Sequence, residues 1–350
     1  MRNLLMLMLL LSLILSCEKD PSSPDDMDKP LTLDGVYIVN EGNFGKANAT
    51  LSYLNVNENE VYNEIYKKTN GEGLGDVAQS MTIVDSLGYI VVNNSDKIVI
   101  ISLNTWKKKG VIELPAGSSP RYMQVGDDNR AYVTNLYTNN VAIIDLSDNS
   151  IRGYIAVGNN PEQMGKAEGK VYVANSGFGS GNTVSVINIS DNSLIKTLTV
   201  GDNPRFIQVS SQGEIHILCS GSYGDWNDPN DDTDGGVYVV DPNSDTVVDT
   251  LIIKGHPSAL ALNGHSSGYY LSNGYIVSYD TETRQTLNDT LIRGYFYQLA
   301  VDKSNDLIFA LDAKDFQQNG ELRIYDSKGE LKYSYTMSII PGFAAFKYKN

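Results

Sequence analysis

The chain has 350 residues and a formal net charge of −15 at pH 7. No basic stripe runs along the sequence, which argues against nucleic-acid binding through neutralised phosphates. The sequence contains two cysteines, Cys17 and Cys219. Cys17 lies in the leader described next, so Cys219 stays as an unpaired buried thiol and the fold must be stabilised by core burial alone.

The N-terminus has the pattern of a targeting segment. Arg2 precedes an apolar run over residues 4–15, which is too short to span a bilayer. We predict a signal peptide over residues 1–16. The tetrapeptide ILSC at 14–17 resembles a bacterial lipobox, which implies lipidation of Cys17. An ordinary cleaved signal is the alternative.

Residues 17–33 are predicted to be the lipidated cysteine and a disordered tether. The segment EKDPSSPDDMDKP is polar, acidic and rich in proline and serine, with nothing to bury. An acidic stretch directly after the lipid cysteine resembles the surface-export signal of Bacteroidota-type lipoproteins. We therefore expect a protein anchored by lipid to the outer membrane and exposed on the cell surface.

Residues 131–164 and 171–207 are two similar copies of an internal repeat with a period of about 40 residues. Each copy contains four strand-like segments separated by Asn, Asp and Gly clusters. The second strand of every copy carries an aromatic or histidine side chain at an equivalent place, which we term the aromatic position. Its seven members are Tyr37, Tyr89, Tyr132, Tyr172, His216, Tyr269 and Phe309. Seven such units predict an all-β, seven-bladed β-propeller over residues 34–350, without helical segments. A β-solenoid is the alternative, although its coils are shorter.

The ends of the repeat predict how the ring closes. Residues 35–39 match the second strand of a unit and have no first strand before them. Residues 341–346 match a first strand. The C-terminus is therefore expected to complete blade 1 and to hide two strand edges.

Two segments carry a resemblance to known families. The sequence YVTN at 132–135 is, letter for letter, the signature of the YVTN-repeat propellers. The segments YIVNEGNFG at 37–45 and GDVAQSM at 75–81 resemble the surface-exposed cobalamin-binding lipoproteins of Bacteroidota. This resemblance implies a seven-bladed propeller that captures a corrinoid and caps a TonB-dependent outer-membrane transporter.

In a propeller the first strands line the central channel, so the residue after the proline slot of each unit faces the channel mouth. We term this the mouth position. Its seven members are Gln79, Arg121, Glu162, Arg205, Ser258, Tyr297 and Gly342. Five of them are large and polar or aromatic. We expect Gln79, Arg121, Glu162, Arg205 and Tyr297 to bind ligand, with the two arginines clamping a phosphate or an amide-rich group. Ordinary solvation of turn flanks is the alternative.

The loops between second and third strands place amides next to aromatic rings. Aromatic rings supply stacking area, and amides supply matched donors and acceptors, which suits a large flat ligand fringed with amides such as a corrin. The candidate ligand-binding residues in these loops are Asn43, Phe44, Asn94, Tyr137, Phe178, Tyr223, Trp226 and Phe316.

The acidic loop at 224–236 has the oxygen spacing of a calcium loop at Asn230, Asp232 and Asp234. No glutamate stands at the offset of an EF-hand, so a solvated acidic loop is the competing interpretation. Structural calcium at these three residues is an expectation, and no other cofactor is predicted.

No catalytic constellation emerges from the sequence, so we do not expect an enzyme. The leading hypothesis is a surface lipoprotein that binds cobalamin or a related corrinoid and delivers it to a TonB-dependent outer-membrane transporter. The alternative is a surface-layer or adhesion propeller that binds protein or glycan.

Overall fold

The computed structural model describes residues 32–225, 228 and 230–349. The predicted signal peptide, Cys17 and Trp226 lie outside the described residues. Seven four-stranded antiparallel sheets form a seven-bladed β-propeller, so the predicted fold class is confirmed. Among the described residues, no helix has the length and apolar character needed to cross a membrane.

The strands are, in chain order, β1 (Thr32–Asn40), β2 (Thr50–Asn55), β3 (Glu60–Tyr62), β4 (Ala78–Val84), β5 (Leu87–Val92), β6 (Lys97–Ser102), β7 (Lys108–Glu113), β8 (Pro120–Val125), β9 (Arg130–Asn135), β10 (Asn140–Asp145), β11 (Ser150–Ala156), β12 (Pro161–Ala167), β13 (Lys170–Asn175), β14 (Thr183–Asn188), β15 (Ser193–Thr199), β16 (Pro204–Val209), β17 (Ile215–Cys219), β18 (Gly235–Asp241), β19 (Thr246–Ile253), β20 (Ser258–Leu262), β21 (Ser267–Ser272), β22 (Tyr275–Asp280), β23 (Thr286–Arg293), β24 (Gln298–Asp302), β25 (Leu307–Asp312), β26 (Asn319–Tyr325), β27 (Leu331–Ile339) and β28 (Pro341–Lys349). Blade 1 joins β28, β1, β2 and β3, and each later blade takes the next four strands in order.

The C-terminal strand closes the ring as expected. β28 runs antiparallel to β1, pairing Phe346 with Val36 and Ala344 with Ile38. The Phe346 ring meets Phe309 of blade 7 edge-on, with centroids 5.0 Å apart. Blade 1 therefore takes strands from both ends of the propeller. β1 begins two residues before the domain boundary that the sequence predicts.

The aromatic position lies buried between neighbouring blades. Tyr132 on β9 is fully buried, and its Oη donates to Asn192 Oδ1 of the next blade at 2.6 Å. Tyr89 donates to Asn149 in the same way at 2.9 Å. Both asparagines occupy turns before fourth strands in the left-handed conformation, with φ of 56° at Asn149 and 60° at Asn192. Asparagine tolerates this conformation better than most residues. The repeated ring thus joins one blade to the next.

In blade 5 the contact with the next blade involves a histidine and a tyrosine instead of a tyrosine and an asparagine. His216 replaces the tyrosine, and its Nδ1 lies 3.0 Å from Tyr279 Oη of blade 6. Arg284 occupies the corresponding turn with φ 58°, and its Nη2 donates back to Glu214 at 2.6 Å. Burial lowers the pKa of His216 to about 4, so its ring is neutral at pH 7.

The expected absence of helices was wrong in blade 1. A short helix, α1 (Ile65–Asn70), follows β3, and the chain leaves it at Gly71 with φ 72°. Its Ile65 and Tyr66 side chains are buried in the core of blades 1 and 2, and this burial stabilises the helix within the segment between β3 and β4. Two single 3₁₀ turns lie at Asn93–Ser95 and Gly177–Gly179.

Candidate functional site at the channel mouth

A cavity of about 530 Å³ opens at one end of the central channel. Five members of the mouth position line it: Gln79, Arg121, Glu162, Arg205 and Tyr297. They come from blades 2, 3, 4, 5 and 7; four are the second residue of a first strand, and Tyr297 directly precedes β24. This volume lies within the range of small-molecule binding sites.

Ser258 and Gly342 hold the two remaining mouth positions and do not line this cavity. Gly342 has a steric reason to be glycine. A Cβ at this residue would collide with the carboxylate of Glu41, which occupies the space that a side chain would need. Because Gly342 has no side chain, the carboxylate of Glu41, which directly follows β1, fits into this space.

Arg121 is held by groups of the protein itself. Its Nε donates to Glu162 Oε2 at 2.9 Å and its Nη2 to Glu162 Oε1 at 3.3 Å. Its Nη1 donates to Gln79 Oε1. The Arg121 side chain is 15% exposed and that of Glu162 is 7% exposed. A buried bidentate pair of this kind fixes both side chains.

Glu41 is the buried acid of the cavity. Tyr297 Oη lies 3.2 Å from both carboxylate oxygens and donates to them, and Gln79 Nε2 donates to Oε1 at 3.4 Å. Burial raises the pKa of Glu41 to about 7, against the opposing effect of Arg121. The acid is thus part neutral and part ionised at neutral pH.

Sequence reasoning did not select Glu41, although the repeat contains a signal for it. The residue four places after the aromatic position also lines the cavity in blades 1 to 4. These residues are Glu41, Asn93, Leu136 and Ser176. The signal is therefore a second column of the same repeat, directly after the end of each second strand.

Three predicted loop aromatics surround the cavity. Phe44, Tyr137 and Phe178 line it, with exposed fractions of 73%, 60% and 66%. The rings of Tyr137 and Phe178 lie 5.9 Å apart between centroids. Phe178 has φ 53°, a conformation that is unfavourable for an aromatic residue. Large exposed rings over a polar floor are typical of a contact surface.

The other predicted loop residues lie beside the cavity or away from it. Asn43 Nδ2 donates to the Phe316 carbonyl at 2.6 Å, and the Phe316 ring meets Tyr297 edge-on at 5.4 Å. Asn94 Nδ2 donates to Asp76 at 2.8 Å, so its neighbour Asn93 lines the cavity instead. None of these three residues lines the cavity, and Phe316 contacts it through the lining residue Tyr297.

Tyr223 lies apart from this group. Its ring stacks on His256 at a centroid distance of 3.6 Å. His256 lines a separate hollow of about 130 Å³.

The three calcium candidates point in different directions. Asp232 Oδ1 accepts from the Gly224 amide and Asp234 Oδ1 from the Gly255 amide, each at 2.9 Å. Asn230 Nδ2 donates to Asp228 at 2.8 Å. Within the described residues, no group of three or more His, Cys, Asp or Glu is arranged to hold a metal. Calcium at this loop stays a prediction.

Solved structures similar to this chain are distant in sequence. A functionally unknown protein from Desulfotomaculum acetoxidans is 14% identical, with a TM-score of 0.70 over 91% of this chain and 100% of that chain. A quinonprotein alcohol dehydrogenase-like protein from Bacteroides thetaiotaomicron is 12% identical, with a TM-score of 0.70 over 90% of this chain and 79% of that chain. Hydrazine synthase from Kuenenia stuttgartiensis is 16% identical, with a TM-score of 0.64 over 76% of this chain and 88% of that chain. These similarities show the fold alone.

No curated protein matches this chain. The family model described as "Domain of unknown function (DUF5074)" matches residues 34–340. This match spans the propeller from β1 to the end of β27, and the chain belongs to the DUF5074 family.

Proposed function

We propose that this protein is a lipid-anchored outer-membrane propeller that captures cobalamin or a related corrinoid and delivers it to a TonB-dependent transporter. The observation that carries the proposal is the composition of the channel-mouth cavity. Exposed rings from three loops stand over a floor of hydrogen-bonded polar side chains. The protein acts by capture, without chemistry on the ligand.

The chemistry of a corrinoid matches this lining. The macrocycle offers a broad flat face, and its rim carries amides that both donate and accept hydrogen bonds. Tyr137 and Phe178 supply contact area, while Asn93 Oδ1 accepts and Arg205 donates hydrogen bonds at the rim of the ligand. A corrinoid is larger than the cavity, so one edge enters it and the macrocycle lies against the loop aromatics.

Backbone hydrogen bonds fix the loops of Tyr137 and Phe178 to the neighbouring segments of the propeller. The Leu136 amide donates to the Ser119 carbonyl at 3.0 Å, and the Ser176 amide donates to the Asn160 carbonyl at 3.1 Å. Loops fixed in this way lose little conformational entropy on binding. Preorganisation of this kind lowers the dissociation rate and favours tight capture.

The N-terminal pattern supports the location and the partner. A lipobox at 14–17 followed by an acidic tether suits a protein held on the outer membrane. The segments at 37–45 and 75–81 resemble cobalamin-binding lipoproteins that work with a TonB-dependent transporter. Gln79 and Phe44, within these two segments, both line the cavity.

Titration calorimetry with cyanocobalamin tests the proposal on residues 32–350, which contain all seven sheets. We expect binding well below micromolar for the native sequence, and at least tenfold weaker binding for the double variant Tyr137→Ala, Phe178→Ala. Tyr333→Ala is the matched control, because Tyr333 is an exposed ring on the outer strand β27. No binding at micromolar concentrations would reject the corrinoid and favour the protein or glycan ligand. Normal binding by the double variant would reject the site.

A further inference from the structure

The charged side chains of the channel-mouth cavity differ in how many hydrogen bonds they make to other protein groups. Glu41, Arg121, Glu162 and Arg205 are its four charged lining residues. Arg121 uses all three of its guanidinium nitrogens on Glu162 and Gln79. Three of its five N–H donors are thus used within the protein and the side chain is fixed, so the two arginines do not form the symmetric clamp that their positions in the repeat predict.

Arg205, the other cation of the cavity, differs from Arg121 in its contacts. Within the described part of the chain, it makes no hydrogen bond and no ion pair. Its side chain is half-buried, and its guanidinium carbon lies 5.5 Å from the Phe206 ring centroid. A guanidinium has five donors in a fixed fork, and a partly desolvated guanidinium whose donors have no acceptor is energetically unfavourable. A ligand anion would supply that partner.

The surroundings favour an anion although the whole chain carries a net charge of −15. Glu162 is neutralised by its pair with Arg121. Glu41 is the remaining acid near Arg205, and Tyr297 and Gln79 already donate to it. The four charged side chains of the cavity therefore carry a net positive charge wherever Glu41, which Arg205 also faces, is protonated.

We propose that Arg205 binds an anionic phosphodiester of the ligand and that Arg121 does not. This inference rests on the proposed function, because cobalamin carries one phosphodiester in its nucleotide loop. The guanidinium fork meets two phosphate oxygens in a bidentate contact. The nucleotide-loop edge of the corrinoid thus enters the cavity on the side of blade 5, and Arg205 distinguishes complete corrinoids from those without the loop.

Calorimetry with two ligands tests this assignment. Cyanocobalamin carries the phosphodiester, whereas dicyanocobinamide lacks the nucleotide loop. We expect Arg205→Gln to weaken cyanocobalamin binding by about 10- to 100-fold, the range for a lost charge-assisted contact, and to change cobinamide binding less than twofold. Arg205→Lys should recover part of the loss. Arg152→Gln is the matched control, since Arg152 is exposed on the outer strand β11.

Equal loss for both ligands would overturn the assignment, because Arg205 would then contact the corrin. No loss for either ligand would overturn it too. If the native protein binds neither ligand, the proposed function fails. Titration with inorganic phosphate then tests whether Arg205 is an anion-binding residue. Millimolar phosphate binding that disappears in Arg205→Gln would keep the anion site. Phosphate binding that is absent, or unchanged in the variant, would reject it.

Discussion

The aromatic position and the mouth position are both present once in every blade, and they behave in opposite ways. Tyr132 and Tyr89 make equivalent buried hydrogen bonds to the following blade. At the mouth, Glu162, Arg205 and Tyr297 differ in chemistry but face one shared cavity. Buried contacts between neighbouring blades hold the ring together, and five mouth residues from five blades, of four different residue types, build one asymmetric surface. A symmetric scaffold can thus carry a site that has no symmetry.

Removing the strand that closes the ring should have the largest effect. Without residues 341–350, β1 loses one of its two partner strands, and the contact between Phe309 and Phe346 is lost. The damage is comparable with the whole stability of a domain, about 5–15 kcal/mol, so we expect no cooperative unfolding transition. Circular dichroism during heating measures this. Removing residues 349–350 alone is the control and should leave a clear transition. A full deletion that melts like the native protein would show that the ring does not depend on β28.

Truncating one aromatic position should be the next largest change. Tyr132→Ala empties a fully buried site between two blades and should lower the free energy of unfolding by about 4 kcal/mol. Tyr132→Phe keeps the ring, loses only the bond to Asn192 and should cost about 1 kcal/mol. Urea unfolding measures both. Ligand binding should persist in the folded fraction of each variant. Equal costs for the two variants would mean that ring burial is not the main contribution.

The two arginines of the cavity should separate stability from binding. Arg121→Gln leaves Glu162 buried without its cation and should destabilise the fold by about 3 kcal/mol. Arg205→Gln breaks no hydrogen bond or ion pair within the described residues; it removes only the contact with the Phe206 ring and should change stability by less than about 1 kcal/mol. Urea unfolding of the pair provides the comparison. Similar destabilisation by both variants would contradict the division of roles between them.

The smallest expected effect is the pH dependence that Glu41 introduces. An unfolded glutamate titrates near 4.5, and buried Glu41 titrates near pH 7. Between these values the folded protein holds a proton that the unfolded chain has released, so the free energy of unfolding falls as pH rises, by up to about 1.4 kcal/mol per pH unit. The groups that face this carboxyl are Gln79, Arg121, Glu162, Arg205 and Tyr297.

Glu41→Gln is the control for this effect, since the amide cannot ionise. The difference in unfolding free energy between the native protein and Glu41→Gln should change steadily from pH 5 to pH 7.5. A difference that does not depend on pH would show that Glu41 is ionised throughout this range.

Much of the architecture is predictable because the repeat is dense in signals. The rings at Tyr132 and Tyr172 mark equivalent strands, and the unpaired first and last strands predict the closure by β28. The helix Ile65–Asn70 escaped prediction because it occurs in one blade only. Six residues with two apolar side chains leave no periodic pattern, and tertiary packing determines their conformation.

The site was predictable only as far as the repeat aligns it. The mouth position selected Arg121 and Arg205 together, but it does not show that Arg121 pairs with Glu162 across a blade boundary. That pairing depends on distances between blades, which no local pattern encodes. Glu41 was missed for a related reason, since its column contains Leu136 and Ser176, whose chemistry differs completely.

Hydrogen–deuterium exchange with saturating cyanocobalamin tests the central claim most directly, because it reports both binding and position. The account predicts slower exchange in residues 42–48, 136–139 and 176–182, the loops around the channel mouth, and unchanged exchange in the turns at 146–149 and 189–192 on the opposite face. Protection confined to those turns, or no protection anywhere, would contradict it.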